Sequence, residues 1–323
     1  MPKRSLFEEL NVALDTLLAV EAPSVPAEFD PLLRIAAQLR DLPRDQFKSR
    51  LKADLQKETS MPTQTVPFKR EGFHAITPYL IAKDGAQLID FVKQAFGAEE
   101  LFRDIGSAGG YHCECKLGDS MLMLGGGTGK GEWRSTASTA PIHLYVPNAD
   151  EVYKRAIAAG ATSLYQPADM PYGDREGGVQ DAAGNHWYIG TIRNRSSEGL
   201  HTVTLGLRVN GAVRLIDFLK QAFAAEVVAR FDGPEGTVVH AQVRVGDSIV
   251  EVSDAHGQFA PMPCTVYMYV PDTDAMYNSA LRAGATSIAP PKDQPYGDRS
   301  GGVKDPFGNT WYIATNIGEV PLK

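Results

Sequence analysis

Two strand-like segments of the sequence carry ionisable side chains at a spacing that could support chemistry. In YHCECKLG, His112 and Glu114 are two positions apart, so an extended strand places them on the same face. In VHAQVRVG, His240 recurs while Gln242 stands in place of the glutamate. A histidine beside a carboxylate can transfer protons or supply two ligands to a metal ion. A half-exposed strand with a polar solvent face explains the same pattern without any chemistry.

Aromatic and imidazole side chains form a second group, which has the composition of a ligand pocket. His143 and Tyr267 occupy equivalent strands, and the tyrosine two positions further along each strand shares their face. Aromatic walls with a few polar groups suit a planar organic ligand, although core packing explains the neighbouring tryptophans equally well. The candidate ligand-binding residues are His143, Tyr145, Tyr188, Gln242, Tyr267, Tyr269 and Tyr312.

Several common signatures of catalysis are missing from the sequence. It has no GxGxxG after a strand, no phosphate-binding Walker loop and no GxSxG elbow. His74 and His201 begin equivalent strands, and we interpret them as structural or surface residues. If the chain is an enzyme, the catalytic candidates in YHCECKLG and VHAQVRVG are His112, Glu114 and His240.

These side chains lie in a sequence that repeats itself from Phe73 onward. LIDFVKQAFGAE returns as LIDFLKQAFAAE, and LGDSMLML returns as VGDSIVEV. The segment PYGDREGGVQDAAGNHWYIGT (171–191) returns as PYGDRSGGVKDPFGNTWYIAT (295–315), with 15 of 21 positions identical. A repeat this long indicates duplicated domains, which we place at 70–194 and 199–318.

Each copy reads as a strand, a helix and three strands, twice over. In the first copy, the strand HAITPYLIA precedes a helix at about 86–96, and PIHLYVP precedes a helix at 150–159 that ends at Gly160. Both helices are amphipathic, so helices are expected to cover one face of the sheet. The other face must then line a concave site or pack on a partner sheet.

The repeated PYGDR segment has the composition of a turn. Proline starts it, glycine allows an unusual φ and aspartate can bind local backbone. Arg175 and Arg299 are predicted to pair with nearby carboxylates and to fix the loop. Shape alone is sufficient to require these residues.

Residues 1–65 differ in composition from the repeats. Leucines recur at helical spacing between proline-rich breaks, which predicts an α-helical N-terminal segment. Such helices could dock on their own domain or form the contact of a homodimer. Recruitment of a specific partner is the alternative interpretation.

Composition and charge exclude several classes of function. The 323 residues are 43% hydrophobic and 22% charged, which is typical of a globular protein with two or more domains. The net charge of −7, without a basic block, argues against nucleic acid or anionic lipid as a partner, and no apolar run is long enough to span a membrane. The three cysteines include no CxxC pair, which favours a reduced, cytoplasmic protein.

The order of elements, with the motifs ITPYL, DFVKQAFGAE, GDSMLML and PYGDR…GNxWYI, resembles the vicinal oxygen chelate superfamily. This superfamily includes glyoxalase I, bleomycin-resistance proteins and extradiol dioxygenases, and the chain looks most like its PhnB-type, glyoxalase-like branch. The resemblance covers about 70–318. It implies an α+β fold of two tandem domains after the helical segment, each built of two βαβββ modules that form a cupped sheet around one site.

The resemblance also gives the positions at which metal-dependent members hold a divalent ion. Those members use four His, Gln or Glu ligands on the first and last strands of the modules. The matching positions in the first copy are Thr77, Met123, Pro141 and Tyr188. In the second copy they are Thr204, Glu251, Thr265 and Tyr312. A single carboxylate does not hold a catalytic metal against water, so no metal cofactor is expected.

The leading functional expectation is metal-independent binding of a small apolar or aromatic molecule in one or both cups. Such binding would serve sequestration or sensing, as it does in the bleomycin-resistance relatives. The first alternative is a metal-dependent lyase, isomerase or dioxygenase with a non-standard ligand set. Its catalytic candidates are His112, Glu114 and His240, together with Glu251 from the positions that the resemblance gives. The second alternative is an interaction protein that acts through its N-terminal helices.

Overall fold

Four βαβββ modules make up the part of the chain that this computed structural model describes, namely residues 66–128, 133–194 and 196–318. The chain divides into two compact units, Met1–Thr65 and Val66–Lys323. The predicted N-terminal helices and their homodimer contact belong to the first unit and lie outside the described residues. Within the described ranges, no helix combines the length and the apolar character needed to cross a membrane.

The modules follow one another along the chain, each with the expected order of strand, helix and three strands. Module 1 contains β1 (Ile76–Ala82), α1 (Gly85–Phe96), β2 (Glu99–Ile105), β3 (Tyr111–Leu117) and β4 (Ser120–Gly126). Module 2 contains β5 (Pro141–Tyr145), α2 (Ala149–Ala158), β6 (Thr162–Asp169), β7 (Asp174–Gln180) and β8 (His186–Ile192). Module 3 contains β9 (Val203–Val209), α3 (Ala212–Phe223), β10 (Glu226–Asp232), β11 (Val238–Val245) and β12 (Ser248–Asp254). Module 4 contains β13 (Thr265–Tyr269), α4 (Thr273–Arg282), β14 (Thr286–Asp293), β15 (Asp298–Lys304) and β16 (Thr310–Asn316).

The modules pair across the two sequence copies. One eight-stranded sheet, the 1/4 sheet, has the order β14-β15-β16-β13-β1-β4-β3-β2 and joins module 4 to module 1. The other, the 2/3 sheet, has the order β10-β11-β12-β9-β5-β8-β7-β6 and joins module 3 to module 2. At the centre of each sheet the first strands of two modules run antiparallel, with Thr77 opposite Tyr267 and His143 opposite Thr204.

This pairing corrects the expectation that each sequence copy closes around its own cup. The segments 70–194 and 199–318 are repeats in sequence, but each contributes one module to each sheet. All four modules present the same kind of first strand for edge-to-edge pairing, so the repeat itself does not specify which two modules meet. The candidate residues of one copy are therefore distributed over two sheets.

The helices cover one face of the sheets because their apolar side chains recur at helical spacing. At the N-terminus of α1, Asp84 accepts a hydrogen bond of 3.0 Å from the backbone N–H of Gln87, and Gly97 ends the helix with a φ of 76°. Trp187 and Trp311 are fully buried in the core on this helix side. The opposite face of each sheet, which we call its cup, carries the tyrosines that follow these tryptophans.

The arginines of the repeated PYGDR segment bind carboxylates, as predicted. Arg175 forms a bidentate ion pair with Asp150 in the first turn of α2, with an Nη2–Oδ1 distance of 2.6 Å. Arg299 repeats the arrangement with Asp274 of α4, at 2.8 Å. Each arginine therefore ties the turn before a cup strand to the helix of the same module.

The aspartate of the repeated DxxGNxW segment also has a structural role. Oδ2 of Asp181 accepts hydrogen bonds of 2.9 Å from the indole N–H of Trp187 and from the Asn185 amide. Asp305 accepts the equivalent bond from Trp311 at 3.0 Å. A buried carboxylate thus fixes the turn that precedes the last strand of modules 2 and 4.

Candidate functional site

The cup of the 2/3 sheet brings together side chains from five strands. His143 on β5 lies opposite Thr204 on β9 and beside Tyr188 on β8. Glu251 on β12 lies opposite Gln242 on β11. Because alternate residues of a strand share a face, these paired positions point into one cup.

A buried ion pair lies in this cup. The Nδ1 atom of His143 is 2.9 Å from Oε2 of Glu251, and the Tyr145 hydroxyl donates a hydrogen bond of 2.6 Å to Oε1. Glu251 is only 3% exposed, whereas the side chain of His143 is 18% exposed. The carboxylate is therefore fixed in the protein, and the imidazole is the member of the pair that a ligand can reach.

A second carboxylate, Glu176 on β7, approaches the same imidazole. Its Oε2 lies 4.0 Å from Nδ1 of His143, and its Oε1 accepts hydrogen bonds from Tyr165 at 2.5 Å and from Tyr172 at 3.0 Å. Glu176 was not among the residues predicted from the sequence. The available signal was a difference within the repeat, because the second copy has Ser300 at the position of Glu176.

The electrostatics of the cup favour an ionised Glu251. Burial alone would raise the pKa of its carboxyl, but the imidazolium charge of His143 and the hydrogen bonds from His143 and Tyr145 outweigh this effect and lower the pKa. Burial and the nearby carboxylate Glu176 raise the pKa of Tyr165 and Tyr172. These phenols consequently remain neutral hydrogen-bond donors at physiological pH.

Arg208 on β9 forms the wall of the cup on the side of β8. Its guanidinium is 4% exposed and donates to the Tyr188 hydroxyl at 2.6 Å and to the carbonyl of Ala260 at 2.8 Å. The same group lies 5.4 Å from the ring centre of Phe259. Arg208 thus joins the loop before β13 to the cup, a role that no sequence motif indicated.

His186, next to Arg208, gives a prediction for the pH dependence of stability. Burial and the charge of Arg208 lower the pKa of His186 from 6.5 to about 4. In the unfolded chain His186 is therefore protonated below about pH 6.5, whereas in the folded protein it is protonated only below about pH 4. We expect the free energy of unfolding to fall across this window as the pH decreases. His186→Gln should flatten the decline in urea unfolding series at successive pH values, and an unchanged slope would contradict the assignment.

The cup of the 1/4 sheet contains a different set of polar contacts. Asp298 on β15 is 1% exposed and accepts hydrogen bonds from Tyr267 at 2.6 Å and from Tyr269 at 2.8 Å. On the other side, the Tyr79 hydroxyl lies 2.9 Å from Nδ1 of His112. The phenols of Tyr267 and Tyr269 both donate to the same carboxylate oxygen, Oδ2, whereas Oδ1 of Asp298 is buried without a hydrogen-bond partner among the described residues.

The segment before β1 occupies part of this second cup. Phe73 is 7% exposed and packs edge-on against Tyr269, with 5.6 Å between ring centres. Arg70 stacks over Phe73 at 4.4 Å and forms an ion pair with Glu114. Glu114 in turn lies 3.3 Å from Nε2 of His112. The chain itself therefore fills space that a ligand would need in the 1/4 cup.

The residues selected from the sequence divide between the two cups. The 2/3 cup contains His143, Tyr145, Tyr188, His240, Gln242 and Glu251. The 1/4 cup contains His112, Glu114, Tyr267, Tyr269 and Tyr312. The four catalytic candidates, His112, Glu114, His240 and Glu251, are consequently two pairs in separate sheets and do not form one ligand set.

Because each sheet combines one module from each sequence copy, the positions that match the superfamily's metal ligands fall into two new sets of four. The 1/4 sheet carries Thr77, Met123, Thr265 and Tyr312, and the 2/3 sheet carries Pro141, Tyr188, Thr204 and Glu251. The first set offers no imidazole or carboxylate, and the second offers one carboxylate that already pairs with His143. These residues do not fit a divalent metal that needs three or four strong ligands.

Comparison with known proteins places the chain in a class. The model of the Glyoxalase/Bleomycin resistance protein/Dioxygenase superfamily matches residues 199–313. An uncharacterized protein of Mycobacterium bovis is 36% identical over 127 residues, which cover 36% of this chain and 84% of the relative. An uncharacterized protein of Mycobacterium tuberculosis is also 36% identical, with 75% of its length covered. The chain belongs to the glyoxalase/bleomycin resistance protein/dioxygenase superfamily.

Solved structures agree with this fold. Glyoxalase I from Zea mays has a TM-score of 0.57 and 13% sequence identity, over 74% of this chain and 92% of its own. A putative dioxygenase from Bacillus subtilis has a TM-score of 0.53 and 14% identity, over 75% and 85% of the two chains. At such low identity these similarities concern the arrangement of strands and helices, and residue roles do not transfer with them.

Proposed function

We propose that the protein binds a small aromatic molecule in the 2/3 cup without a metal ion, for sequestration or sensing. The observation that carries this proposal is the His143 imidazole between Glu251 and Glu176, surrounded by tyrosine rings. Aromatic walls favour a planar ligand, and the negative charge of the two buried carboxylates favours one that carries amino groups. We also propose a cytoplasmic location, because the three cysteines are buried and form no disulfide.

The difference between the cups supports binding in the 2/3 cup. In the 1/4 cup, Phe73 and Arg70 occupy space next to Tyr269, and Ser300 replaces the carboxylate of Glu176. In the 2/3 cup an 18% exposed imidazole, His143, lies between two carboxylates, whereas in the 1/4 cup Arg70 of the chain itself pairs with Glu114. We place one ligand per chain in the 2/3 cup.

An acid–base enzyme is the second candidate function. His143 lies 2.9 Å from one carboxylate oxygen and 4.0 Å from another, an arrangement that can move a proton between two positions on a bound molecule. An isomerase or lyase of this kind would rely on His143 and Glu176. The two candidates differ in turnover: a binding protein returns its ligand unchanged, whereas an enzyme does not.

Tyr172 and its repeat equivalent Tyr296 provide a matched test. The Tyr172 hydroxyl donates to Glu176, whereas Tyr296 faces Ser300 at 3.4 Å in the 1/4 cup. We expect Tyr172→Phe to weaken binding of proflavine, a planar dye with amino groups, by about 5- to 10-fold. Glu176 loses one of the two donors that orient its carboxylate, and restoring that orientation on binding costs about 1 kcal/mol. Tyr296→Phe should leave the affinity unchanged. Fluorescence titration measures both, and equal losses would contradict the assignment to the 2/3 cup.

The ligand itself can be sought in the purified protein. Native mass spectrometry of gently purified, tag-free protein should show one aromatic molecule bound per chain, and denaturing mass spectrometry should recover it unaltered. Elemental analysis of the same sample tests the metal-dependent alternative. Stoichiometric metal in that sample would contradict the metal-free proposal.

A further inference from the structure

The segment 66–73, which we call the strap, enters the 1/4 cup just before β1 begins. Within it, the backbone N–H of Phe73 donates a hydrogen bond of 3.1 Å to the carbonyl of Arg70, which closes a turn. The backbone N–H of Asn316, the last residue of β16, donates to the carbonyl of Phe68 at 2.9 Å. The strap is therefore attached to β16 at one end and places two side chains in the cup at the other.

Arg70 occupies the cup in the way that a cationic ligand would. Its guanidinium pairs with Glu114, which is 8% exposed, and lies over the Phe73 ring at 4.4 Å from the ring centre. Burial lowers the pKa of Arg70, but its interactions with Tyr269 and Glu114 outweigh burial and raise the pKa. The cup thus offers negative charge beside aromatic faces, and this combination binds planar cations.

Two buried polar atoms of this cup have no hydrogen-bond partner in the part of the chain that the structure describes. They are Nε of Arg70 and Oδ1 of Asp298, a residue that is only 1% exposed. Buried polar groups normally have partners, so the strap fills the cup incompletely. The carboxylates of Glu114 and Asp298 both act on the charge of Arg70. A ligand cation at the same place would therefore face both carboxylates.

The sequence repeat shows that the arginine and its carboxylate differ together between the two copies. REGFH (70–74) returns as SEGLH (197–201), so Ser197 stands at the position of Arg70. Gln242 stands at the position of Glu114. The 2/3 cup consequently lacks both members of the pair. A cation and a counter-charge that occur together in one copy, and are both neutral in the other, act as a unit.

We propose that the 1/4 cup is a second binding site, for the guanidinium or amidinium group of a planar cationic molecule, and that Arg70 is the internal ligand that keeps it closed. Glu114 would pair with the N–H donors of the incoming cation, and Asp298 would accept with its unpartnered oxygen. Binding requires the strap to withdraw Arg70 and Phe73 from the cup, so the strap is autoinhibitory. The inference goes beyond the proposed function and does not depend on it.

Replacing the strap residues by their repeat equivalents tests the site in the full-length protein. In isothermal titration with benzamidine, a planar amidinium, Arg70→Ser/Phe73→Leu should gain one saturable site per chain relative to the wild type. Adding Glu114→Gln should weaken the gained site by about 10- to 100-fold, because a hydrogen bond to a charged group is lost. Arg214→Ser should add no site, since it removes an exposed arginine that lies over Phe307 on the helix side.

Thermal unfolding shows whether the variants fold. Arg70→Ser/Phe73→Leu leaves the carboxylate of Glu114 without its cation, so the melting temperature should fall and benzamidine should restore part of the loss. The triple variant with Glu114→Gln has no unpaired charge there, so it should melt higher and respond less to benzamidine. A double variant that gains no site, or a gained site that Glu114→Gln leaves unchanged, would overturn the proposal.

Hydrogen exchange tests the strap in the wild-type protein. Saturating benzamidine should speed exchange of the Asn316 amide, whose acceptor Phe68 belongs to the strap, while amides of module 2 keep their rates. An unchanged Asn316 amide would contradict displacement of the strap. Glu251→Gln acts on the 2/3 cup alone, so the benzamidine site gained by Arg70→Ser/Phe73→Leu should persist when Glu251→Gln is added. Failure of this site and failure of the proposed function are therefore distinguishable.

Discussion

Glu251→Gln is expected to weaken proflavine binding by about 10- to 100-fold and to lower the free energy of unfolding by about 3 kcal/mol. The substitution keeps the shape of the side chain but removes the charge that pairs with His143 at 2.9 Å. Hydrogen bonds to charged groups are worth about 1.5–3 kcal/mol, and breaking a buried pair costs about 3–5 kcal/mol because one charge remains unpaired. Fluorescence titration and urea unfolding at pH 7 measure the two effects.

The repeat supplies a control for this experiment. Met123 occupies the position of Glu251 in the 1/4 cup and is 2% exposed. Met123→Leu conserves volume, so it should cost less than about 1.5 kcal/mol and leave proflavine affinity unchanged. If Glu251→Gln bound the dye as tightly as the wild type, the pair with His143 would have no part in the site.

Trp187→Ala and Trp311→Ala are each expected to lower the free energy of unfolding by about 4 kcal/mol. Both indoles are fully buried on the helix side of their sheets, and each donates to a buried aspartate. Truncation of a buried tryptophan leaves a cavity and typically costs about 3–5 kcal/mol. Equal losses are expected because the repeated motif performs the same structural task in modules 2 and 4.

Urea unfolding monitored by circular dichroism gives these values. Phe231, which is 61% exposed on β10, serves as the aromatic control, and Phe231→Ala should change stability by less than about 0.5 kcal/mol. A loss below about 1 kcal/mol for either tryptophan would show that the motif is dispensable for the shape of its module.

The elements of the fold could be predicted from the sequence because they depend on local patterns. The spacing of apolar residues predicted where the helices lie. The positive charges of Arg175 and Arg299 beside a turn predicted that each pairs with a carboxylate. The choice of partner module could not be predicted in this way. The contacts β1–β13 and β5–β9 join segments that are far apart in the chain, and all four modules offer similar edges.

The site shows the same limit. His143, Tyr145 and Tyr188 were selected by parity and composition, and Glu251 by the positions that the resemblance gives. Only the sheet order brings Glu251 of the second copy to His143 of the first. Glu176 was overlooked because it stands inside a motif that otherwise serves shape. His74 and His201 were interpreted as structural or surface residues, since nothing local indicates that two repeat-related rings stack on each other.

Metal-independent binding in the 2/3 cup is tested most directly by titrating proflavine into chelator-treated protein, before and after one equivalent of zinc. We predict one dye per chain with the same affinity in both samples, and a loss of affinity in Glu251→Gln but not in Met123→Leu. Dye binding that disappears on chelation and returns with stoichiometric metal would contradict the account.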